Sequence, residues 1–439
     1  MNVSKKFGVL ADRPFRLVWI GRSSSALGDA LMPVTQTFAV LSIGGGAAEI
    51  GLILAISMVV RTLLLLAGGA LADRLPRRLL LGGTSLFLGV VQTLVGILLL
   101  TGRLDMQMLL AAAVCYGGAS ALTKPALTGL VRQTVTDERL QEANGLLEMT
   151  RGATLVVGPA LAGVAVSLTS PGWVYLADAL TFLVCAVAMM MLPLAHVQRT
   201  DSSSLLKDIA AGWGELKARP WYWVTLCCHA VWNVGSSAFY VLGPVLVAQA
   251  AGGAASWGVV SAGAAVGALV GGGAAMRFRP DRPLVAAHAS LLLMLLPLAA
   301  LAVGAPIAVL TVCAVVGTAG VTFMNSAWTA TTQQLIPDAV LSRVTSYDWL
   351  ISFTLAPVGF AAIGPVADRV GATWAIGIAT MFVILGVGIV LFIPRVRRLR
   401  RSPDGKLRGW PDLDQESPAG PAPEPAGNKE STPLERDRS

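Results

Sequence analysis

The chain has 439 residues, of which 54% are apolar and only 13% charged, and its mean hydropathy is +0.68. A soluble surface needs about twice that share of charged groups, so a water-soluble globular fold is excluded. The formal charge of +8 would suit nucleic acid only if Lys and Arg clustered on a folded, water-facing domain, and the sequence offers no such domain.

A bilayer core of about 30 Å takes about 20 apolar residues per helix, and runs of that length predict about twelve spans. In chain order they lie near 15–42, 50–71, 79–100, 107–130, 142–168 and 172–194, then 221–249, 256–276, 284–303, 306–328, 343–366 and 371–393. Residues 1–14 hold Lys5, Lys6 and Arg13 without a short apolar region or a small-residue cleavage site, so the first run reads as a span rather than a cleaved leader.

Lys and Arg collect on the cytoplasmic side of a membrane. Alternate loops carry Arg74/Arg77/Arg78, Arg132/Arg139, Lys207/Lys217/Arg219 and Arg277/Arg279/Arg282, whereas the loops between them carry at most Arg103 or Arg369. The pattern predicts a multi-pass protein with both termini in the cytoplasm, and the Ala/Gly/Arg-rich vocabulary points to the plasma membrane of a bacterium.

The spans group into two six-helix halves, 15–194 and 221–393, joined by the loop 195–220 and followed by the tail 394–439. Within the loop, Leu205, Ile209, Trp213 and Leu216 recur at helical spacing, predicting an amphipathic helix on the inner membrane surface. After Pro394 come Arg395, Arg397, Arg398, Arg400 and Arg401, suited to anionic headgroups, and from about 402 a Pro/Glu/Gly/Ser-rich segment predicted to be disordered. Gly158-Pro159 with Gly163 in the fifth span matches Ala356-Pro357 with Gly359 in the eleventh, roughly 200 residues on, which is the mark of a six-plus-six duplication.

The loop after the second span reads Gly69-Ala70-Leu71-Ala72-Asp73-Arg74-Leu75-Pro76-Arg77-Arg78. It resembles the signature of the major facilitator superfamily, with Pro76 in place of the family's second Gly. The resemblance implies a cytoplasmic gate, in which Asp73 sits near the positive end of a helix from the other half and Arg74, Arg77 and Arg78 tie neighbouring helices and lipid headgroups. Gly158-Pro159-Ala160-Leu161-Ala162-Gly163 is similar to the motif of the drug-proton antiporters of that superfamily, with Ala162 where the family has Gly. Arg22-Ser23-Ser24-Ser25-Ala26-Leu27-Gly28-Asp29, Pro125 and Asn144 resemble the bacterial efflux branch that includes the enterobactin exporter and the macrolide pumps. The span-four arginine of that pattern is absent, Ala113 standing in its place.

Ionisable groups at membrane depth are costly and mark function. Asp29 lies about 14 residues into the first span, roughly 21 Å from its start, on one face with Arg22, Ser25 and Gln36. Arg61 reaches a similar depth in the second span, so Asp29 and Arg61 are read as the proton-coupling pair or as a permanently ionised structural pair. Asn144, Glu148 and Arg151 form a polar stripe on the fifth span, Asp348 is assigned to the inner gate opposite Asp73, and Asp178 is read as nearer the outer surface. In the second half His229, Asn233 and Ser236, then Thr322, Asn325 and Thr329, recur at helical spacing beside Trp232, Tyr240 and Trp328. With Arg22, Gln36, Glu148, Arg151, His229, Asn233 and Asn325 as lining, the cavity suits a bulky amphipathic molecule better than a multiply charged one.

The five cysteines fall inside apolar runs without a C-x-x-C pair, and His196, His229 and His288 are scattered, so no metal or cofactor site is predicted. No nucleophile–base set or phosphate loop is legible either, so the chain is not expected to be an enzyme or an ATP-driven pump. The expectation is an all-α membrane transporter, acting as a monomer and exporting a hydrophobic or amphipathic small molecule by proton antiport and alternating access. An uptake carrier or lysophospholipid flippase of the same fold, or a non-transporting sensor or scaffold, stands as the alternative.

Overall fold

The computed structural model describes residues 8–74, 76–131, 133–136, 139–193, 213, 216–217, 219–250, 253–336, 338–401 and 407–408. After a 3-10 turn at Gly8–Ala11, six long helices make the first half: α1 (Arg13–Ser42), α2 (Ala47–Arg74), α3 (Arg77–Leu100), α4 (Met106–Val131), α5 (Leu140–Leu168) and α6 (Pro171–Met190). The second half holds α7 (Pro220–Gln249), α8 (Gly253–Arg277), α9 (Pro283–Ser290), α10 (Leu295–Ala302), α11 (Ile307–Leu335), α12 (Asp338–Thr354), α13 (Ala356–Val370) and α14 (Ala372–Phe392), followed by α15 (Pro394–Arg398). Proline in the first turn starts α1, α6, α7 and α9, where the missing N–H has no helical partner to lose. Gly102 (φ 66°) and Gly371 (φ 87°) take the chain out of α3 and α13 in a conformation that a Cβ would strain.

Eleven helices among the described residues are long and apolar enough to cross a membrane, with α9 and α10 counted as one span and the end of α12 with α13 as another. The twelfth is α1, which has 30 residues but carries Arg22, Ser23, Ser24, Ser25, Asp29 and Gln36 along its length. Lipid-facing stripes are apolar: α3 exposes Leu86, Phe87, Val90, Leu94 and Ile97 while its opposite side, with Ser85 and Gln92, is buried against α6 and α1.

The duplication is visible in how the helices pair. In the first half α1 packs on α5 and α6, α2 on α4, and α3 on α6; in the second, α7 packs on α12 and α13 and on α14, α8 on α11, and the α9–α10 span on α14. Between the halves, α5 packs on α8 and α2 on α13, two contacts that the same pseudo-symmetry exchanges. Both seams are stripped of side chains. A Cβ on Gly163 would come within 2.6 Å of the Ala254 carbonyl and one on Gly258 within 2.7 Å of the Pro159 carbonyl, while Gly51 lies against the Phe360 carbonyl and Gly364 against Ala47 and Ala48. Gly163, Gly258, Gly51 and Gly364 all lie toward the end of the bundle remote from the N-terminus, so the halves are sealed to each other there.

Two predicted spans are interrupted. The ninth passes through a 3-10 segment, Leu291–Met294, just before Pro297, which cannot donate to the carbonyl four residues back. The eleventh breaks at Leu355, where Pro357 in the next turn prevents the first helix from running on; α5 stays continuous through Pro159. Of the central loop, Leu205 and Ile209 lie outside the described residues, Trp213 packs on Tyr347 with ring centroids 5.7 Å apart, and Leu216 is buried. The tail departs from the expected disorder at one place: Arg400–Arg401 and Leu407–Arg408 pair as antiparallel strands, and the Arg401 N–H donates to the Asp281 carbonyl at 2.7 Å. The remainder beyond 408 lies outside the described residues.

Candidate functional site

A cavity of about 650 Å³ lies between the halves. From the first half it is lined by Arg61 and Ser57 on α2 and by Tyr116 and Ser120 on α4; from the second by His229, Asn233 and Tyr240 on α7, Asn325 and Trp328 on α11, and Asp348 and Ser352 on α12. Most of the remaining wall is apolar or aromatic, as in a pocket that takes an organic molecule and orients it through few polar contacts.

On the second-half wall the polar side chains form one connected row. Asp348 Oδ2 accepts hydrogen bonds from Trp328 Nε1 at 2.7 Å and from Tyr222 Oη at 2.9 Å, and Oδ1 lies 3.1 Å from the Ser352 hydroxyl. Ser352 Oγ is also 3.4 Å from His229 Nδ1, and His229 Nε2 faces His288 Nε2 at 3.0 Å. His288 Nδ1 donates to the Leu284 carbonyl at 2.6 Å. Asn233 Nδ2 donates to the carbonyls of His229 and Ser352, fastening α7 to α12 at this level. Tyr222 and Trp328 stack at 5.3 Å and the two imidazoles at 5.2 Å, so the row is walled by rings.

The first half holds its ionisable groups deeper. Asp29 accepts a 2.7 Å hydrogen bond from Tyr116 Oη, and Tyr116, not Asp29, faces the cavity. Asp178 is fully buried, accepts from Gln92 Nε2 at 2.6 Å and from Thr181, and packs against Gly28 of α1, where there is no room for a side chain. Gln92 also reaches the Met32 sulfur at 3.2 Å, and Ser85 donates to Cys185 Sγ at 3.3 Å. Arg22 Nε is buried near this cluster without a hydrogen-bond partner.

His229, Asn233 and Asn325 line this cavity, and Arg61 joins them. Arg22 and Gln36 do not, because α1 turns that face toward α6 and α5. Glu148 and Arg151 do not either: they pair with each other at 3.4 Å, 73% and 65% exposed, and Asn144, also exposed, bonds back to the Leu140 carbonyl. Asp29 and Arg61 form no ion pair; tyrosine takes the acid and the arginine points into open space. The gate reading of Asp348 gives way to a place in the cavity wall, and the surface reading of Asp178 to a buried one. Of the signature loop, the side chains of Gly69, Asp73, Arg74 and Arg77 lie outside the described residues; Arg78 Nη1 donates to the Leu192 carbonyl at 2.9 Å. Gly158 of the fifth-span motif lies against Ala30 of α1, and Pro159 and Gly163 against α8, so one motif joins both halves.

Tyr116, Tyr222, His288, Ser352 and Gln92 were not singled out by sequence. The usable signal was depth: Gln92 and Asp178 each lie about 12 Å from the same ends of antiparallel helices at 1.5 Å per residue, where polar groups seek one another.

A family model described as Major Facilitator Superfamily matches residues 18–357. No curated protein sequence matches the chain. Among solved structures, a mutant of the nucleoside transporter NupG superposes with a TM-score of 0.73 at 9% identity, covering 86% of this chain and 99% of that one. A bacterial homologue of the lysosomal transporter Spinster, inward-facing and unoccupied, gives 0.68 at 12% identity, covering 89% and 98%. A bacterial homologue of the iron transporter ferroportin, also inward-facing, gives 0.68 at 18% identity, covering 86% and 98%. At these identities the structures speak for the fold, and the family match speaks for the class. The chain belongs to the Major Facilitator Superfamily, and is a multi-pass membrane transporter of small molecules rather than an enzyme.

Proposed function

We propose that this protein exports a hydrophobic or amphipathic small molecule, a drug-like compound or a secreted metabolite, from a bacterial cell by proton antiport. The observation that carries the substrate class is the cavity wall, where Trp232, Tyr240, Trp328 and Phe360 supply ring surface, Asn233 and Asn325 supply hydrogen bonds, and Arg61 is the one Lys or Arg among the described lining residues. A multiply charged solute calls for several fixed counter-charges, whereas one flat, mostly apolar ligand with a few polar atoms is served by rings and amides. Export is favoured by the Gly158-Pro159-Gly163 motif at the α5–α8 seam, and proton coupling by the half-buried acids Asp29 and Asp348 on either side of the cavity.

With both termini cytoplasmic, as the loop charges indicate, the sealed end of the bundle is the outer one and the described state faces inward. The halves 15–194 and 221–393 then rock about the central cavity, and one chain is the working unit. Asp29 is assigned as the coupling acid of the first half, with Tyr116 as the group between it and the cavity, and Asp73 with Arg74, Arg77 and Arg78 as the inner gate.

The test uses purified full-length protein in liposomes that enclose a pH dye, with an imposed proton gradient and a panel of macrolides, siderophores and lipophilic cations. Substrate-triggered proton flux that vanishes in Asp29→Asn supports the reading. Substrate movement without proton flux overturns the coupling, and a strict preference for multiply charged solutes overturns the substrate class.

A further inference from the structure

The row Asp348, Ser352, His229, His288 is a hydrogen-bonded chain in which every group has a definite number of protons to place, and counting them has a consequence. The Leu284 carbonyl only accepts, so His288 carries a proton on Nδ1. If His288 is neutral, its Nε2 is then a lone pair, and His229 must present N–H from Nε2 across the 3.0 Å contact. That leaves His229 Nδ1 as an acceptor facing the Ser352 hydroxyl at 3.4 Å, while the same hydroxyl lies 3.1 Å from Asp348 Oδ1.

Serine has one proton and is offered two acceptors. With Asp348 ionised and His229 neutral, one of the two contacts holds no proton, inside a wall where Ser352 and His229 are each only 5% exposed. A buried contact of two lone pairs is unfavourable. One added proton completes the chain. Placed on Asp348, it bonds to Ser352 Oγ and releases the serine proton toward His229 Nδ1. Placed on His229 Nδ1, it bonds to Ser352 Oγ and leaves the serine hydroxyl donating its proton to the Asp348 carboxylate. A further shift across the 3.0 Å contact puts the extra charge on His288, with the His229 Nδ1 proton still directed at Ser352. These arrangements hold the same atoms and the same total charge, and they interconvert by proton hops along existing hydrogen bonds.

We propose that these four side chains bind a single exchangeable proton held in common, with Ser352 as the positioning residue that makes Asp348 and His229 one titrating unit. Three of the four, Asp348, Ser352 and His229, line the substrate cavity, so the shared proton is in contact with whatever occupies it. Tyr222 and Trp328 both donate to Asp348 Oδ2 and leave Oδ1 for the serine, which fixes the direction of the chain. Among the described residues the other charge lining the same space is Arg61, from α2. Neither α11, the α9–α10 span apart from His288, nor α14 contributes an Asp, Glu, Lys, Arg or second His at this level; α15, which touches the start of α9, brings Arg395, Arg397 and Arg398, and the Arg343 side chain of α12 lies outside the described residues. The use of this proton in transport rests on the antiport reading above; its sharing does not.

The experiment is a substrate-free titration of the full chain in lipid nanodiscs with two independent probes. Infrared difference spectra follow the protonated-carboxyl band, assigned to Asp348 by its loss in Asp348→Asn. Ring-nitrogen NMR of ¹⁵N-histidine follows His229, with only His196 and His288 beside it. The expected result is one midpoint pH for both probes in the natural sequence, two midpoints at least one pH unit apart in Ser352→Ala, and one again in Ser352→Thr, which restores the hydroxyl. Independent midpoints in the natural sequence, or coincident midpoints in a folded Ser352→Ala protein, overturn the proposal. A liposome assay with no proton flux, alongside coincident midpoints, overturns antiport and leaves the shared proton standing.

Discussion

The hydroxyl of Tyr116 donates to Asp29 at 2.7 Å and stands between that acid and the cavity, which of the two the tyrosine alone lines. A hydrogen bond to a charged group contributes about 1.5–3 kcal/mol. Tyr116→Phe removes that bond and keeps the ring. It is expected to slow substrate-driven proton flux about tenfold, each 1.4 kcal/mol being a factor of ten, with Asp29→Asn abolishing it. Flux in Tyr116→Phe equal to that of the natural sequence would show that the bond is only a packing feature.

Asp178 sits at the meeting of α1, α3 and α6, with Gln92 and Thr181 as partners and Gly28 beneath it. Asp178→Ala strands the buried Gln92 amide, a loss of about 1–3 kcal/mol. The thermal midpoint in detergent should fall by several degrees, and Gly28→Ala, which drives a methyl into the same carboxylate, should lower it comparably. An unchanged midpoint in both variants would remove Asp178 from the structural core.

Trp328 is a wall of the cavity and a donor to Asp348. Trp328→Phe drops the N–H and keeps a ring, whereas Trp328→Ala drops both. For an aromatic export substrate, KM is expected to rise several-fold in Trp328→Ala and little in Trp328→Phe, while proton coupling suffers in both. Equal KM values in all three proteins would place the substrate elsewhere.

The α5–α8 seam admits nothing larger than hydrogen at Gly163 and Gly258. Gly163→Val overpacks it by about 1–3 kcal/mol, which shifts a two-state equilibrium toward the open-seam state by roughly 5- to 150-fold. Spin labels placed on α5 and α8 at that end should show a longer distance dominating. An unchanged distance distribution would mean that the seam yields without parting.

The spans, their number and the duplication were legible because twenty-residue apolar runs and a Pro with a following Gly at matching places in the two halves are properties of sequence alone. The breaks at Leu291–Met294 and Leu355 were implied by Pro297 and Pro357, which sit where a helix must lose a donor. Which face of each helix turns inward was less legible. When lipid and core are both apolar, the 3.6-residue pattern that orients a soluble helix fades, and it did not show that Glu148 and Arg151 pair with each other, largely exposed, away from the residues that line the cavity. Asp348 was assigned to the gate on its distance along the helix, a measure blind to Tyr222, 126 residues away, and Trp328, 20 away. His229 and His288, 59 residues apart, looked scattered for the same reason.

The bare seams also bear on how fast such a machine can turn over. At the α5–α8 and α2–α13 seams Gly163, Gly258, Gly51 and Gly364 rest on main chain of the opposite half, so at these four positions no side chain has to leave a socket or change rotamer for the halves to part. The two glycine seams lie one on each side of the pseudo-two-fold axis, and the rocking motion proposed above would part both together. On the alternating-access cycle proposed above, these glycine contacts add little friction at the closed end, and the tempo falls to the polar groups around the cavity.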